Sequence, residues 1–402
     1  MDELLSKENL EYRARAREVA DTVVRKVAAH YDREQSYPWE VLEALKKAEL
    51  TGVWIPKEYG GPGGGLLNLC IVVEELSKAC GGVGVAYAVN ALGSFPIITG
   101  ASEEQKHAWL PAIARGEKLI AFGLSEKDAG SDAGSLQCKA IRDGDHYVVN
   151  GQKKWNTNGG VAHHYTVYCQ TNPDKGIRGI SALMIEKGTP GFTIPKVEDK
   201  MGIRCVPVVE LDFKDVRVPA SNLIGKEGGG FRNAMSTLDL ARPGVASQAV
   251  GLAAGATRLA LEYASQRKQF GQSIVSFQAI QFMLADMDVQ TEVARQMVYN
   301  AAKVVDQVTE KLTKLEGIAG AGGPAGFSKY SAISKVFATD IAMKVTTDAV
   351  QIFGGNGYMK DFPIEKYMRD AKITQIYEGT NQIQRLVIGR AMLRELGGTG
   401  AA

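Results

Sequence analysis

The segment Asp143-Gly144-Asp145-His146-Tyr147-Val148-Val149-Asn150-Gly151 marks where the hydrophobic pattern of the chain changes from helical to extended. A glycine-containing turn signal precedes an aromatic and β-branched run, which is typical of a β-strand. The Asn150-Gly151 pair that follows predicts a hairpin turn. Further runs of the same kind lie at Tyr165–Tyr168, Ser181–Ile185 and Val208–Phe213. The middle of the chain therefore predicts an antiparallel β-sandwich or barrel.

Helical patterns flank this region on both sides. Toward the N-terminus, Ser102 and Gln105 have the spacing of a capping box, and Pro38 marks the start of another helix. Four long helical segments follow Gly228–Gly230, at Val245–Arg267, Ala279–Val308, Ser331–Ile352 and Asn381–Leu393. We therefore predict an α+β multidomain chain, with an N-terminal all-helical domain at 1–118, a central β domain at 119–228 and a C-terminal four-helix bundle at 229–402.

The composition excludes several classes of protein. Lys and Arg number 47 against 45 Asp and Glu, so the net charge of +2 gives no reason to expect a nucleic-acid partner. The sequence has no C-x-x-C pair and no H-E-x-x-H motif, so neither a disulfide framework nor a metal site is expected. No apolar stretch approaches the ~20 residues that span a bilayer. Residues 1–7 lack the apolar segment of a signal peptide, so we expect a cytoplasmic protein.

Glycine is in excess, at 45 of 402 residues. One cluster, Gly320–Ala325, matches the pattern G-x-G-x-x-A of dinucleotide-binding loops. It follows a charged helical segment rather than a strand, and it contains Pro324, which does not suit that loop. The cluster instead predicts an exposed loop extension at Gly317–Gly326.

The strongest chemical signal lies in the run Arg369–Arg385. Within it, Glu378 follows an apolar, strand-like stretch and precedes the start of a helix, and Gly379 leaves the backbone free to approach a ligand. A carboxylate in this position could serve as a general base, with its pKa raised by apolar surroundings. The alternative is a solvated glutamate that is favoured by the positive end of the helix dipole.

The segment Ile376–Arg385 resembles the catalytic segment of the acyl-CoA dehydrogenase family. Further segments resemble other motifs of that family, in the same order along the chain. They are Leu124–Asp132, Asn150–Gly159, Arg267–Gly271 and Gln351–Gly357. The fold of that family is helical, then β, then helical, which is the arrangement that the hydrophobic pattern predicts independently.

The resemblance implies a flavoenzyme that oxidises an acyl-CoA to the 2-enoyl-CoA. Glu378 occupies the position of the base that removes the α-proton, and the β-hydrogen would leave as a hydride to N5 of FAD. The family hands its electrons to an electron-transfer flavoprotein and forms homotetramers, so both are expected here. Alternatives on the same fold are an acyl-CoA oxidase and an enoyl-CoA reductase, and a non-catalytic acyl-CoA-binding protein is the alternative from another class.

The resemblance also assigns residues to the cofactor and the substrate. It implies contacts with the FAD bound in the same subunit for Phe122, Leu124, Ser125, Trp155, Thr157, Thr380 and Gln382. It implies contacts with the adenosine and pyrophosphate of a neighbouring subunit's FAD for Arg267, Gln269, Phe270, Gln278, Gln351, Gly354 and Gly355. It implies substrate contacts for Gly379 and, on the CoA part, for Ser131, Asp239 and Arg242. Taken alone, Trp155 is typical of a core residue and Arg267 of a solvated cation at a helix end.

Departures from the family pattern bear on the substrate. Ala241 stands where branched- and long-chain subgroups carry their base, so Glu378 is the single candidate. Val83 stands where glutaryl-type enzymes carry an arginine. Tyr87 and Asn90 belong to the segment that is expected to line the acyl pocket, and they would make it more polar. The sequence therefore leaves open a short or medium straight acyl chain and a cyclic, aryl-substituted or carboxylated one.

Overall fold

A computed structural model of the protein describes residues 5–314 and 327–396. The predicted loop extension at Gly317–Gly326 lies outside these residues. Helices occupy both ends of the described chain and a β-sheet occupies its middle. The predicted fold class, with helical N-terminal and C-terminal parts around a central β region, is confirmed.

The described N-terminal part contains α-helices, one π-helical turn and a short 3-10 helix at Lys57–Tyr59. Its elements are α1 (Lys7–Val19), the π turn (Ala20–Val24), α2 (Arg25–Glu34), α3 (Trp39–Lys47), α4 (Gly65–Ser77), α5 (Gly81–Gly100) and α6 (Glu103–Ala114). The capping box predicted at the start of α6 is confirmed, because Gln105 N donates to Ser102 Oγ at 3.2 Å and Ser102 N donates to Gln105 Oε1 at 2.9 Å. Helix α4 is buried along its whole length, which makes it the centre of this part.

Helix α5 corrects one expectation from the sequence. It has 20 residues and is apolar enough to cross a membrane by length and composition, so the statement that no apolar stretch approaches that length is wrong. However, 89% of its apolar window is buried inside the protein. Its residues are apolar because α4, α7 and β1 pack around it. No other helix in residues 5–314 and 327–396 meets the same criteria.

The central region is an eight-stranded sheet with the order β6-β7-β3-β2-β4-β5-β8, in which β1 pairs with β4. Its strands are β1 (Ile120–Gly123), β2 (Lys139–Asp143), β3 (His146–Thr157), β4 (His164–Gln170), β5 (Ile180–Glu186), β6 (Phe192–Val197), β7 (Val208–Pro219) and β8 (Leu223–Ile224). Strand β1 runs parallel to β4, and β2 also meets β4 in parallel. The sheet is therefore mixed rather than purely antiparallel as predicted, because the long connection after β1 lets the chain return in the same direction.

The Asn150-Gly151 pair does not form the predicted hairpin turn. Strand β3 continues through it, and a bulge shifts the pairing with β7 between Val149 and Gly151. Gly151 has φ of +137°, and a Cβ there would lie 2.8 Å from the Cα of Cys138. The turn lies instead at Gly144, which has φ of +61° between β2 and β3. Glycine at 151 therefore serves a bulge with a close backbone approach.

The C-terminal part contains α7 (Gly230–Gln266), the short hairpin β9 (Lys268–Gln269) and β10 (Gln272–Ser273), α8 (Gln278–Thr309), α9 (Phe327–Phe353), α10 (Ile364–Thr374) and α11 (Asn381–Glu395). The four predicted helical segments lie in α7, α8, α9 and α11. The stretch before Glu378, predicted to be strand-like, is the end of α10 and a turn. Helix α7 packs against α4, α5, α8, α9 and α10, so it joins the two helical parts of the molecule.

Candidate active site

Glu378 lies in a tight turn between α10 and α11. Glu378 and Gly379 both have left-handed backbone angles, with φ of +53° and +89°. Such a φ is costly for a residue with a side chain, so the surroundings must hold the turn in place. Gln384 Nε2 donates to Gly379 O at 2.8 Å and to Glu378 O at 3.3 Å. The side chain of Thr380 caps α11 by accepting from Ile383 N at 3.3 Å.

The carboxyl group of Glu378 lies in an environment that favours its neutral form. The residue as a whole is half-buried, but its Oε2 atom is buried and has no hydrogen-bond partner among the described residues. Burial raises the pKa of Glu378 to about 7, against the pull of Lys335 and Arg242, which lower it. A base with a pKa close to neutral matches the pH at which it would work. The solvated, surface-type glutamate that the sequence left open does not fit this burial.

Two cations hold the backbone of this turn. Lys335 Nζ donates to Gly379 O at 2.9 Å, and its side chain is fully buried. Arg242 Nε donates to Glu378 O at 3.4 Å, and Arg242 Nη1 bonds Asp239 Oδ1 at 2.5 Å. Asp239 also accepts a hydrogen bond from the hydroxyl of Ser328. Burial raises the pKa of Asp239, while Arg242 and Ser328 oppose that shift.

A narrow cavity of about 10 Å³ ends at Glu378. Helix α5 contributes Val85, Ala88, Ala91 and Phe95 to its wall, and α7 contributes Ala241, Gly244, Val245 and Gln248. Both sets recur at helical spacing, so each helix turns one face toward the cavity. The hydroxyl of Tyr377 donates to Gln248 Oε1, and Gln248 Nε2 donates to Gly81 O at 2.9 Å. This polar pair closes one side of an otherwise apolar slot.

Tyr87 and Asn90, which are expected to line the acyl pocket, are not among the residues that line the cavity at Glu378, and their contact with the acyl chain stays a prediction. Tyr87 Oη donates to Leu50 O at 2.7 Å, and Asn90 Oδ1 accepts from Ile120 N at 3.2 Å. Both residues line a different cavity on the other side of α5. The physical reason is the helical rotation of about 100° per residue. Because Ala88 and Ala91 face Glu378, their neighbours one position earlier face away.

Several residues assigned to the flavin lie together at one edge of the sheet. Lys154 N donates to Ser125 O at 2.9 Å, and Lys153 Nζ donates to Leu124 O at 3.1 Å. This places the loop of Leu124 and Ser125 beside the strand that carries Trp155 and Thr157, and Phe122 lies just before it in β1. Asn158 Nδ2 donates to Ala86 O at 3.2 Å, which joins the end of this strand to the cavity-lining helix α5.

Trp155 does not lie in the core, which was the alternative for a tryptophan in a strand. Its side chain is 54% exposed, and its φ is +59° at a second bulge of β3. Its ring is therefore accessible to a ligand. Thr380 and Gln382 line a separate polar cleft of about 460 Å³ that also contains Lys372 and Arg385. An exposed aromatic plane and a polar, cationic cleft are suited to a flavin that carries phosphates.

The residues assigned to a neighbouring subunit's FAD form one exposed region. They are Arg267, Gln269, Phe270, Gln278, Gln351, Gly354 and Gly355, and all seven are exposed. The end of α7 and the end of α9 meet here, because the rings of Tyr263 and Phe353 stack at 4.0 Å. Phe270 is 92% exposed, and a Cβ at Gly354 or Gly355 would meet no atom within 4 Å. An open backbone beside an exposed ring and an arginine fits an adenosine and a pyrophosphate.

The three residues assigned to the CoA part of the substrate differ in their exposure to solvent. Ser131 is exposed on the loop after β1. Asp239 and Arg242 are buried at 5% and 4% exposure and are paired with each other. They lie next to Glu378 rather than on the surface. The role of these three residues toward CoA stays a prediction.

Three polar residues near Glu378 were not among the sequence candidates. Lys335, Gln384 and Gln248 each bond the turn of Glu378 or the neighbouring Tyr377. Lys335 carries one signal in the sequence, because it interrupts the small and apolar face of a long helix. Gln248 and Gln384 are ordinary helix residues whose partners become visible only in three dimensions.

Comparison with known protein families agrees with this arrangement. Residues 6–117, 121–216 and 228–393 match the family models described as the N-terminal, middle and C-terminal domains of acyl-CoA dehydrogenase. The fold and the site thus define an FAD-dependent class of oxidoreductase that acts on the CH–CH bond of acyl-CoA thioesters. The chain belongs to the acyl-CoA dehydrogenase family.

Individual relatives cover nearly the whole chain. The probable acyl-CoA dehydrogenase fadE25 of Mycobacterium bovis is 47% identical over 97% of this chain and 96% of its own length. The short-chain-specific acyl-CoA dehydrogenase of Clostridium acetobutylicum is 46% identical over 98% of this chain and all (100%) of its own length. The acryloyl-CoA reductase (NADH) of Anaerotignum propionicum is 43% identical over 98% of this chain and 96% of its own length.

Solved structures match the whole fold as well. Butyryl-CoA dehydrogenase from Megasphaera elsdenii superposes with a TM-score of 0.90 at 43% identity, covering 98% of this chain and 100% of the other. A chain from a study of the electron transferring flavoprotein of Acidaminococcus fermentans and flavin-based electron bifurcation has a TM-score of 0.91 at 44% identity, with the same coverage.

Proposed function

We propose that this protein oxidises a short, straight-chain acyl-CoA to the 2-enoyl-CoA, with Glu378 as the base and FAD as the cofactor. The observation that carries this proposal is the buried Oε2 of Glu378, which lacks a hydrogen-bond partner and lies at an apolar cavity. A carboxylate oxygen buried in this way is free to accept the α-proton of a substrate. Ala241, also in the wall of this cavity, cannot act as a base, so Glu378 alone fills that role.

The backbone of the same turn supplies a donor for the thioester oxygen. In the described part of the chain, the N–H of Glu378 donates to no backbone carbonyl, because the left-handed turn removes it from the backbone hydrogen bonds of α10. A fixed N–H at this point would stabilise the charge that develops on the thioester oxygen when the α-proton leaves. The apolar walls exclude water and so strengthen both effects.

The residues at the sheet edge support the binding of FAD. When bound, FAD would accept the β-hydrogen as a hydride at N5. Trp155, Thr157, Leu124, Ser125 and Phe122 would then hold the flavin end, with Thr380 and Gln382. The exposed Trp155 ring gives it a flat apolar surface.

The cavity supports a short acyl chain. Its walls are apolar or small, and Glu378 is the only charged residue among those that line it, so a distal carboxylate would meet no cation. Tyr87 and Asn90 are not among the residues that line this cavity, so they do not make it more polar. Relatives described as short-chain-specific and butyryl-CoA dehydrogenases agree with this choice.

The partner and the assembly are also part of this proposal. An electron-transfer flavoprotein would take up the electrons, which fits the structural match from a study of such a protein. The exposed region around Phe270, Gly354 and Gly355 would contact the FAD of a neighbouring subunit in a homotetramer. We further propose a cytoplasmic location and domains at 1–118, 119–228 and 229–402.

The test is an anaerobic titration of the FAD-loaded protein with butyryl-CoA. Bleaching of the oxidised flavin band, with crotonyl-CoA as the product, is the expected result. Octanoyl-CoA and glutaryl-CoA should bleach the flavin far more slowly. A protein that cannot be loaded with FAD, or that binds butyryl-CoA without bleaching, would point to a non-catalytic acyl-CoA-binding protein instead.

A second candidate is reduction of an enoyl-CoA on the same site. The observation that favours it is the 43% identity to an acryloyl-CoA reductase over nearly the whole chain. Faster turnover of acryloyl-CoA or crotonyl-CoA with a reduced partner than of the saturated thioester with an oxidised one would establish this direction. Oxygen uptake with release of peroxide would identify an acyl-CoA oxidase.

A further inference from the structure

Lys335 is a fully buried lysine on α9, at 0% exposure. Its Nζ donates to Gly379 O at 2.9 Å and to Asn381 Oδ1 at 2.8 Å. No carboxylate forms an ion pair with it among the described residues. A buried ammonium without a carboxylate partner in contact costs free energy, so its presence calls for a reason.

Hydrogen bonding alone does not supply that reason. Gly379 O also accepts from Gln384 Nε2 at 2.8 Å, and Asn381 Oδ1 also accepts from Thr339 Oγ1 at 3.2 Å. Gly379 O therefore keeps a donor when the lysine is removed, while the single hydroxyl proton of Thr339 is shared with Lys335 O at 2.8 Å. Gln384 and Thr339 are neutral, so Lys335 is the donor to these two acceptors that also carries a positive charge.

The charged groups around this site leave Lys335 as the cation available to Glu378. From α7, Arg242 faces the turn, but its guanidinium is bonded to Asp239 at 2.5 Å. From α9 itself, Asp340 is bonded to Arg385, Gln375 and Asn381. Tyr377 bonds Gln248. The charge of Lys335 therefore acts mainly on the carboxyl group of Glu378.

We propose that Lys335 is a positioning residue for the base, which fixes the Glu378–Gly379 turn and stabilises the ionised carboxylate of Glu378 through its buried charge. This rests on the proposed function, in which Glu378 must be ionised to accept the α-proton. The electrostatics support it, because Glu378 holds the pKa of Lys335 above the value that burial alone would give, and Lys335 in turn lowers the pKa of Glu378. Both pKa values lie at about 7, so the two groups respond to each other in the neutral range.

The experiment compares Lys335→Met with Lys344→Met in the FAD-loaded protein. Lys344 lies on the same helix, but it is exposed and paired with Asp348, so it serves as the matched control. The measured quantity is the rate constant of flavin bleaching by butyryl-CoA between pH 5.5 and pH 9. In the wild type, the rate constant should fall at low pH as Glu378 becomes protonated, and this fall is the acid limb of the pH profile. We expect the acid limb of Lys335→Met to lie about one pH unit higher. The rate constant of this variant should then be about tenfold lower than that of the wild type at low pH and should recover at high pH. Lys344→Met should follow the wild type.

A purely structural role would give a different pattern. It would lower the rate by the same factor at every pH and leave the limb where it is, and that result would overturn the proposal. Lys335→Gln keeps a hydrogen-bond donor but not the charge. Lys335→Gln should therefore show the same shift of the acid limb as Lys335→Met. An acid limb at the pH of the wild type would also overturn the proposal.

A readout without catalysis separates this proposal from the proposed function. Infrared difference titration reports the protonated carboxyl group of Glu378 as a band that is absent in Glu378→Gln. The midpoint of that band should lie higher in Lys335→Met than in the wild type, whether or not any acyl-CoA bleaches the flavin. If the wild type does not react with acyl-CoA, the proposed function fails while this comparison still decides the role of Lys335. An unshifted midpoint would contradict it.

Discussion

Arg242 donates from Nε to the backbone carbonyl oxygen of Glu378 at 3.4 Å, while Nη1 of the same guanidinium bonds Asp239 at 2.5 Å. The buried ion pair on α7 therefore reaches the backbone of Glu378. Asp239 neutralises the arginine that would otherwise stand unpaired beside Glu378. A substitution in this ion pair should therefore affect both the stability of the fold and the surroundings of Glu378.

Asp239→Asn should destabilise the protein strongly. The variant leaves the guanidinium of Arg242 buried without its counterion, and breaking a buried pair in this way costs about 3–5 kcal/mol. The free energy of unfolding from urea denaturation measures the loss. Asp348→Asn, which breaks an exposed pair with Lys344, should cost less than about 1 kcal/mol. Equal effects of the two substitutions would contradict the burial argument.

Gln248→Ala should lengthen the acyl chain that the enzyme accepts. The substitution removes the partner of Tyr377 and opens the slot, so two additional methylene groups can be buried. At about 0.8 kcal/mol each, they favour hexanoyl-CoA over butyryl-CoA by roughly tenfold relative to the wild type. The ratio of kcat/KM for the two thioesters is the measurement. Tyr87→Phe alters the opposite face of α5 and should leave this ratio unchanged, and a change there would show that the cavity is wrongly assigned.

Glu378→Gln should make the protein more stable at alkaline pH. The pKa of Glu378 is raised to about 7, so its contribution to stability is complete below about pH 4.5 and is lost as the pH rises through 7. Gln stays neutral and avoids this loss. Between pH 5 and pH 8 the variant should gain on the order of 2 kcal/mol relative to the wild type. Urea denaturation at the two pH values measures this, and Glu395→Gln, at an exposed pair with Lys329, should show no such gain.

Trp155→Ala should weaken the binding of FAD with little effect on folding. The ring is exposed, so its removal leaves no cavity, but a flavin would lose a stacking surface worth about 1 kcal/mol, or roughly fivefold to tenfold in Kd. Titration of the apoprotein with FAD gives the Kd. Trp39 on α3 is 49% exposed and lies outside the site. Trp39→Ala should bind FAD like the wild type, and equal Kd values for all three proteins would remove Trp155 from the flavin site.

The sequence is sufficient to predict the order of the layers and to single out Glu378 as the candidate base. The change of period at residues 143–151 and the four C-terminal helices depend on local patterns, which survive folding. Glu378 is recognisable because the motif around it is contiguous. The hairpin predicted at Asn150-Gly151 is wrong, because a turn and a bulge use the same residues and only the partner strand decides between them.

Other parts of the site depend on contacts that a sequence does not contain. The cavity that Tyr87 and Asn90 line is one example, because α5 is buried on every side and its hydrophobic pattern does not single out the face that contacts Glu378. Lys335 lies 43 positions before Glu378, and its role depends on which carbonyl it reaches after α9 and α11 have packed.

The most direct test of the central claim is the rate of anaerobic flavin bleaching by butyryl-CoA in Glu378→Gln. Glutamine preserves the size of the side chain and the turn but cannot accept a proton. Butyryl-CoA should therefore bind with a Kd close to that of the wild type, while the rate constant of bleaching should fall by a factor of at least about 10³. Bleaching at the wild-type rate would contradict the assignment of Glu378 as the base.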